Sequence, residues 1–269
     1  MGRLSFWDFV RERHAIYLRR QAGAAPPWTT DPVLANYHFT NVYRELDPGT
    51  VFIREQLQKN RDATLREKVL NLAVYRLCLH ERSYSALGWL SLPCNSHEFA
   101  RRLHEIPEPF HGAYYIHNLG LSIPKADAMA KVADHLIEHM EQRGLDATTR
   151  AGFIRNLSMV KGIGGFIATQ VLADLCYDLH VGLPQDGYVA LGPGAMKGLA
   201  LVAGRDLQET AAQAVLEDLW REQPPVGGPH LTRMNIQNCC CEFSKYNGHP
   251  RRRFRAAQRA GATQGGLFE

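Results

Sequence analysis

Three stretches of this chain carry side chains whose types and spacing suit chemistry on a phosphorylated partner. The first is Val160-Lys161-Gly162-Ile163-Gly164-Gly165, followed by the apolar run Phe166 to Leu175. Two glycines around one apolar residue let a turn approach a partner without a Cβ in the way. A helix that starts at such a turn presents free N–H groups and a positive dipole end, which together seat a phosphate. Lys161 adds a point charge beside Gly162, Gly164 and Gly165, so these four are the expected contacts to a DNA backbone. The second stretch is Trp28 to Arg44. Asp31 before Pro32 is a helix start, with the carboxylate as cap and the proline in the first turn. The helix expected from there is loaded with Asn36, Tyr37, His38, Thr40, Asn41, Tyr43 and Arg44, and it puts Asn41 and Arg44 on one polar face. The third is a basic arm. From Lys245 to Arg259 there are six lysines and arginines and no acidic residue, against a net charge of +4 for all 269 residues. That concentration suits a polyphosphate or nucleic acid.

The elements that must hold these residues are helical. Apolar residues recur at helical spacing over 4–21, 64–80, 124–143, 147–159, 165–179, 206–221 and 231–246. Alternation of the β type is confined to Val51-Phe52-Ile53 and Tyr114-Tyr115-Ile116. The expected class is all-α, with 1–250 as one helical domain or two lobes, the hairpin at 147–179, and a basic tail over 251–269. Ile163 is expected to plug the hairpin, with Ala168, Val171, Leu172 and Leu175 on its buried face.

Other chemistries find little support. The six cysteines include the consecutive Cys239, Cys240 and Cys241, and no pair has the CxxC spacing of a zinc knuckle. Reduced thiols in a cytoplasmic setting are expected. The start of the chain lacks the apolar run of a signal peptide, and no segment is apolar for long enough to span a bilayer. His135-Leu-Ile-Glu-His139 matches a zinc-peptidase pattern, but the pair flanks an apolar stripe and no third ligand follows. No metal is therefore expected. Gly192 to Gly198 is glycine-rich without the Ser/Thr of a nucleotide loop, and suggests a second tight turn.

The hairpin resembles that of the helix-hairpin-helix DNA glycosylases, in which a loop after the second helix bears the catalytic aspartate. Asp186, in Leu183-Pro-Gln-Asp-Gly-Tyr188, falls at a comparable distance. It faces a base pocket on that reading, or simply forms an Asp-Gly turn. The cysteine cluster of those glycosylases is absent.

A more particular resemblance joins Pro27–Glu45 to Asn238–Tyr246 and the following Arg251–Phe254. Both blocks resemble phage thymine-hypermodification proteins: the α-glutamyl/putrescinyl-thymine pyrophosphorylase group, the amino acid:DNA transferases, and the related helical domain of 5-hydroxymethyluracil DNA kinases. The resemblance spans nearly the whole chain and implies a glycosylase-like helical fold. It also implies a reaction in which an amine or amino acid such as glycine displaces pyrophosphate from 5-pyrophosphoryloxymethyluracil in DNA. The phosphate-loop motif of a kinase is absent from the sequence, so a separate kinase would supply the activated base. The host cytoplasm is the implied setting.

That chemistry assigns roles. Arg44 and Arg251, Arg252 and Arg253 would hold the departing pyrophosphate. Asp31, Asp186 or Glu242 would take a proton from the amine. Asn41 would pair with the base edge, with Trp28, Tyr43 or Tyr246 stacking on its face. Lys245 or Arg44 would hold an amino acid's carboxylate. No cofactor is required beyond a Mg²⁺ arriving with the pyrophosphate. Base excision of a modified pyrimidine, or a non-catalytic DNA-binding module serving a kinase, are the alternatives.

Overall fold

The computed structural model describes residues 3–78, 80–110, 119–178 and 180–248, with Cys78 described by its backbone only. The basic tail, with Arg251, Arg252 and Arg253, and the short alternation at 114–116 lie outside these residues. In chain order the helices are α1 (Phe6–Gln21), α2 (Pro32–Asn36), α3 (Pro48–Lys59), α4 (Leu65–Cys78), α5 (Glu81–Leu87) and α6 (Ser96–Glu105). They continue with α7 (Lys125–Gln142), α8 (Arg150–Leu157), α9 (Gly165–Leu175), α10 (Pro193–Ala203), α11 (Glu209–Arg221) and α12 (Arg233–Asn247). A single 3-10 turn spans Arg44–Leu46. Among the described residues there is no strand, and the protein is all-α. No described helix is long and apolar enough to cross a membrane. The five described cysteines, Cys94, Cys176, Cys239, Cys240 and Cys241, are free thiols.

The chain divides into two compact units, one of Met1–Asp47 with Leu191–Glu269 and one of Pro48–Ala190. In the second unit α4 lies at the centre of the core, with Val69, Leu70, Leu72, Val74 and Tyr75 all buried. Burial on every face gives this helix little amphipathic signal of its own. Its start is a reciprocal capping box: Thr64 N donates to Glu67 Oε2 at 2.9 Å, and Glu67 N to Thr64 Oγ1 at 3.3 Å. Two buried ion pairs tie α4 to the end of the hairpin. Arg76 Nε and Nη2 each lie 2.5 Å from Asp174, and Lys68 Nζ lies 2.7 Å from Asp178. The expected strand at Val51-Phe52-Ile53 is instead part of α3. Three alternating residues are too few to define a strand, and Ile53 and Leu57, four apart, are the pair that α3 buries.

The hairpin is α8, a turn, and α9. Thr149 caps α8 by accepting from Gly152 N at 3.0 Å. Gly162 takes φ +98°, a conformation that favours glycine, and a Cβ there would meet Val132 Cγ2 at 2.4 Å. Ile163 is buried in the turn, as are Ala168, Val171, Leu172 and Leu175 on α9. The two histidines of the set-aside zinc pattern serve this packing. His135 Nδ1 lies 3.3 Å from Lys161 O, and His139 Nε2 lies 3.3 Å from Asn156 Oδ1. They fasten α7 to the hairpin.

In the first unit α10 and α12 pack most closely. The expected tight turn at Gly192–Gly198 is the first half of α10, opened by Pro193 in its first turn. Glycine is there for proximity: a Cβ at Gly198 would stand 1.9 Å from the Cys240 carbonyl oxygen. Across from this seam, α1 and α12 share an aromatic cluster. Phe9 packs on Phe243 at 5.4 Å and on Tyr246 at 4.8 Å between centroids.

Candidate functional site

The helix expected to follow Asp31 is short, which changes what the polar block builds. Asp31 Oδ1 accepts from Val33 N at 2.8 Å and Leu34 N at 2.9 Å, so it is the cap that Asp-Pro promised. The helix then stops at Asn36, whose side chain donates to Pro32 O at 2.7 Å. Tyr37 is extended, at φ −127° and ψ 147°. Aromatic and β-branched residues from Tyr37 to Tyr43 lose little by leaving the helix. The Asn41 amide bonds forward to Asp47 Oδ1 at 2.8 Å, and Asn41 Nδ2 donates to Leu46 O at 2.8 Å. Asn41 and Arg44 are therefore not neighbours on a helix face. Asn41 shapes a loop, and Arg44 opens the 3-10 turn.

The loop, the turn, α1 and α12 enclose a polar cluster. Arg13, on α1 and only 4% exposed, donates through Nη2 to Thr40 O at 2.6 Å and Asn41 O at 3.2 Å. Its Nε and Nη1 have no oxygen or nitrogen acceptor, and the Cys239 thiol lies beside the guanidinium. Arg44 is buried, its backbone N–H donating to Asn235 Oδ1 of α12 at 3.1 Å. Asn238 Nδ2 donates to Thr40 Oγ1 at 3.0 Å. Glu242 is 1% exposed; Oε1 accepts from Lys245 Nζ at 2.5 Å, and Oε2 is sealed from solvent with no hydrogen-bond partner among the described residues. His38 stands at the rim with an accessible ring.

The electrostatics of the cluster distinguish its members. Burial pushes the Asp47 carboxyl up to about 6, and the nearby Glu242 charge adds to this; the Asn41 N–H, Arg44 and Arg13 pull the other way. Burial draws the Lys245 ammonium down, but Glu242 outweighs it and the net shift is upward. His38 is held low by the surrounding protein first, then by Lys245, Arg20 and Arg13, against the pull of Glu242. Burial raises all three thiols of α12, which disfavours a thiolate nucleophile.

The expected stacking residues fare differently. Tyr43 is 3% exposed, its hydroxyl donating to Pro229 O at 2.7 Å and its ring edge-on to His14. Tyr246 is buried under Phe9, its hydroxyl donating to Asp31 Oδ2 at 2.6 Å. Neither offers a ring face to a base, because His14 packs on Tyr43 and Tyr246 lies against Phe9 with Arg3 over its ring. Trp28 is half-buried, with Nε1 donating to Ala24 O at 2.7 Å and Arg20 over its ring.

Asp186 belongs to the other unit. Its Oδ1 accepts from the Gly187 N–H at 2.8 Å. The loop around it is drawn onto buried Arg150, which donates to Pro184 O at 2.8 Å and to Tyr188 O at 3.3 Å. At the hairpin Lys161 is exposed, and the N-cap of α9 is Gly164, which has no side chain to cap the helix.

The sequence blocks at 28–45 and 238–246 thus meet in one cluster, with Asp31, Asn41, Arg44, Glu242, Lys245 and Tyr246 in it or against it. Arg13 and Asp47 complete it and were not singled out from the sequence. Asp47-Pro48 repeats the Asp-Pro signal of Asp31-Pro32, which reads as a helix start and hides a second use.

Fold and site together define an all-helical chain with a buried, cation-rich polar cluster. Comparison supplies the particular family: the model described as "5-hmdU DNA kinase, helical domain" matches residues 3–254, and the chain belongs to that family. A curated relative, the 5-hmdU DNA kinase of Bacillus phage SP10, is 28% identical over 286 residues, covering 90% of this chain and 45% of the relative. The chain spans less than half the length of that relative. No solved structure matches.

Proposed function

We propose that this chain modifies a thymine analogue in DNA, joining an amino acid or amine to 5-pyrophosphoryloxymethyluracil with release of pyrophosphate. Membership of the kinase helical-domain family supports the substrate class. No phosphate-loop motif occurs in these 269 residues, so the step assigned to them is transfer, on DNA that a kinase activity has already activated.

The observation that carries the reading is the cluster of Arg13, Arg44 and Lys245 with Asp47 and Glu242. Three cations against Glu242, Asp31 at the edge of the cluster and an Asp47 reluctant to ionise suit the charge of a departing pyrophosphate. Glu242 Oε2 and the Arg13 N–H groups that have no oxygen or nitrogen acceptor among the described residues suit a small ligand with an ammonium at one end and a carboxylate at the other. In the second unit, the glycine N-cap of α9 and exposed Lys161 suit a DNA phosphate. A glycosylase-like ancestry agrees with that hairpin. Any Mg²⁺ would enter with the pyrophosphate.

Mass spectrometry tests this directly. The chain is incubated with DNA carrying 5-pyrophosphoryloxymethyluracil and a mixture of amino acids, and the DNA is digested to nucleosides. An aminoacyl-thymidine is the expected product. Free base with abasic sites would identify a glycosylase instead, and unchanged DNA that the folded chain still binds would identify a binding module.

A further inference from the structure

We propose that Asp47 is the catalytic proton acceptor, taking a proton from the incoming amine before that amine attacks the base. The assignment rests on the transfer reading above and decides among carboxylates that the sequence leaves equivalent. Asp31 has both oxygens in use, one on the Val33 and Leu34 amides and the other on the Tyr246 hydroxyl. Asp186 holds an amide of its own loop. Glu242 is clamped by Lys245 at 2.5 Å, so one of its oxygens is already committed to an ammonium.

Asp47 differs from all three. Its carboxylate accepts the Asn41 amide through Oδ1, and no cation of the described residues lies within ion-pair distance of it. Arg44 beside it, Arg13 on α1, and Cys239 and Glu242 on α12 are the groups that act on it electrostatically. Burial without a close cation raises proton affinity and brings the group into the range in which it exchanges protons near neutrality. A second observation points to a ligand at the same place. Glu242 Oε2 has no hydrogen-bond partner among the described residues, and Arg13 Nε and Nη1 have no oxygen or nitrogen acceptor there, only the Cys239 thiol beside the guanidinium; both side chains are more than nine-tenths buried. Buried groups of both kinds, left open around one carboxylate, fit a ligand that both donates and accepts.

The step balances as follows. An ammonium R–NH3⁺ gives one proton to the Asp47 carboxylate. The nitrogen lone pair then forms the C–N bond to the exocyclic methylene, while the C–O electron pair leaves with pyrophosphate. The secondary ammonium so formed loses its second proton to water, and Asp47 returns its proton to solvent.

The test uses the full chain, DNA carrying 5-pyrophosphoryloxymethyluracil, and two nucleophiles: glycine, which needs deprotonation, and hydroxylamine, which is already neutral at pH 7. With glycine, kcat/KM of the unaltered chain should rise with pH through a limb near the Asp47 value of about 6. Asp47→Asn keeps the acceptor for the Asn41 amide. It should lose about a hundredfold or more with glycine, lose the limb, and retain hydroxylamine transfer and DNA binding. Full glycine turnover with an intact limb in Asp47→Asn overturns the assignment. So does equal loss with both nucleophiles in a variant that is folded and binds DNA. Absence of product with either nucleophile in the unaltered chain overturns the transfer reading, and the assignment with it.

Discussion

The two units treat buried charge in opposite ways. In the second, Asp174 is closed by Arg76 through two parallel bonds, and Asp178 by Lys68 at 2.7 Å with the His180 amide on its other oxygen. Burial pushes the Asp178 carboxyl up, but Lys68 and the His180 amide together outweigh it and hold the group below its usual range. In the first, no cation among the described residues lies within ion-pair distance of Asp47, which is driven upward, while Glu242 Oε2 finds no hydrogen-bond partner among the described residues. Asp174 is the more deeply buried and yet is paired, so pairing as well as burial separates the two. Closed pairs fix α9, and with it the hairpin, against α4. An open cluster costs stability, and such a cost persists where a ligand completes the site.

The comparison breaks most easily at Arg76. Arg76→Ala takes the guanidinium from a fully buried carboxylate and should cost about 3–5 kcal/mol by urea denaturation. A loss under about 1 kcal/mol would mean that the pair is not closed in solution. Next in size is the pH dependence of Asp47. Its folded-state value lies above its ordinary one, so the folded chain binds the proton more tightly than the unfolded chain. Stability from this group is therefore present at low pH and falls as pH rises from about 4 to about 6. Taken as unaltered chain minus Asp47→Asn, the fall should approach about 3 kcal/mol. A flat difference across that window would place Asp47 in ordinary solvent.

Much of the frame was legible, and for physical reasons. Helices α1, α7, α11 and α12 announce themselves because one stripe is apolar at helical spacing, and Asp31 and Pro32 mark the start of α2 by local capping that needs no tertiary context. α10 was not legible as a helix, since Gly194 and Gly198 lower helix propensity and justify themselves only against Cys240 and Cys241. The loop from Tyr37 to Tyr43 was misjudged for the same kind of reason. Its hydrogen bonds go to Asp47, Leu46, Asn238 and Arg13, partners five to nearly two hundred residues away. Tyr43 and Tyr246 show the limit for the site: an aromatic residue in a polar block serves a pocket or a core equally well, and only packing decides. Asp47 was hidden because Asp-Pro has a sufficient local explanation.

Glu242 sharpens the contrast at smaller scale. Glu242→Gln keeps the shape and removes the charge, and Lys245 is exposed enough for water to replace its partner. Stability should change by about 1 kcal/mol or less, far from the Arg76 effect. The KM for glycine should meanwhile rise about tenfold or more through loss of a charged hydrogen bond. A stability loss as large as that of Arg76→Ala, with KM unchanged, would move Glu242 into the closed class.

The smallest effect belongs to the hairpin. Lys161 is exposed, and its packing role is carried by its carbonyl, which faces His135. Lys161→Ala should therefore leave unfolding unchanged while removing one cation from the DNA contact. The slope of log binding constant against log salt should fall in magnitude by about one unit, roughly equally for any DNA sequence, because one fewer counterion is released. Measured on DNA with and without the activated base, the change should be the same. A change confined to activated DNA would mean that Lys161 meets the pyrophosphate instead of the backbone, and the division between a gripping unit and a reacting unit would fail.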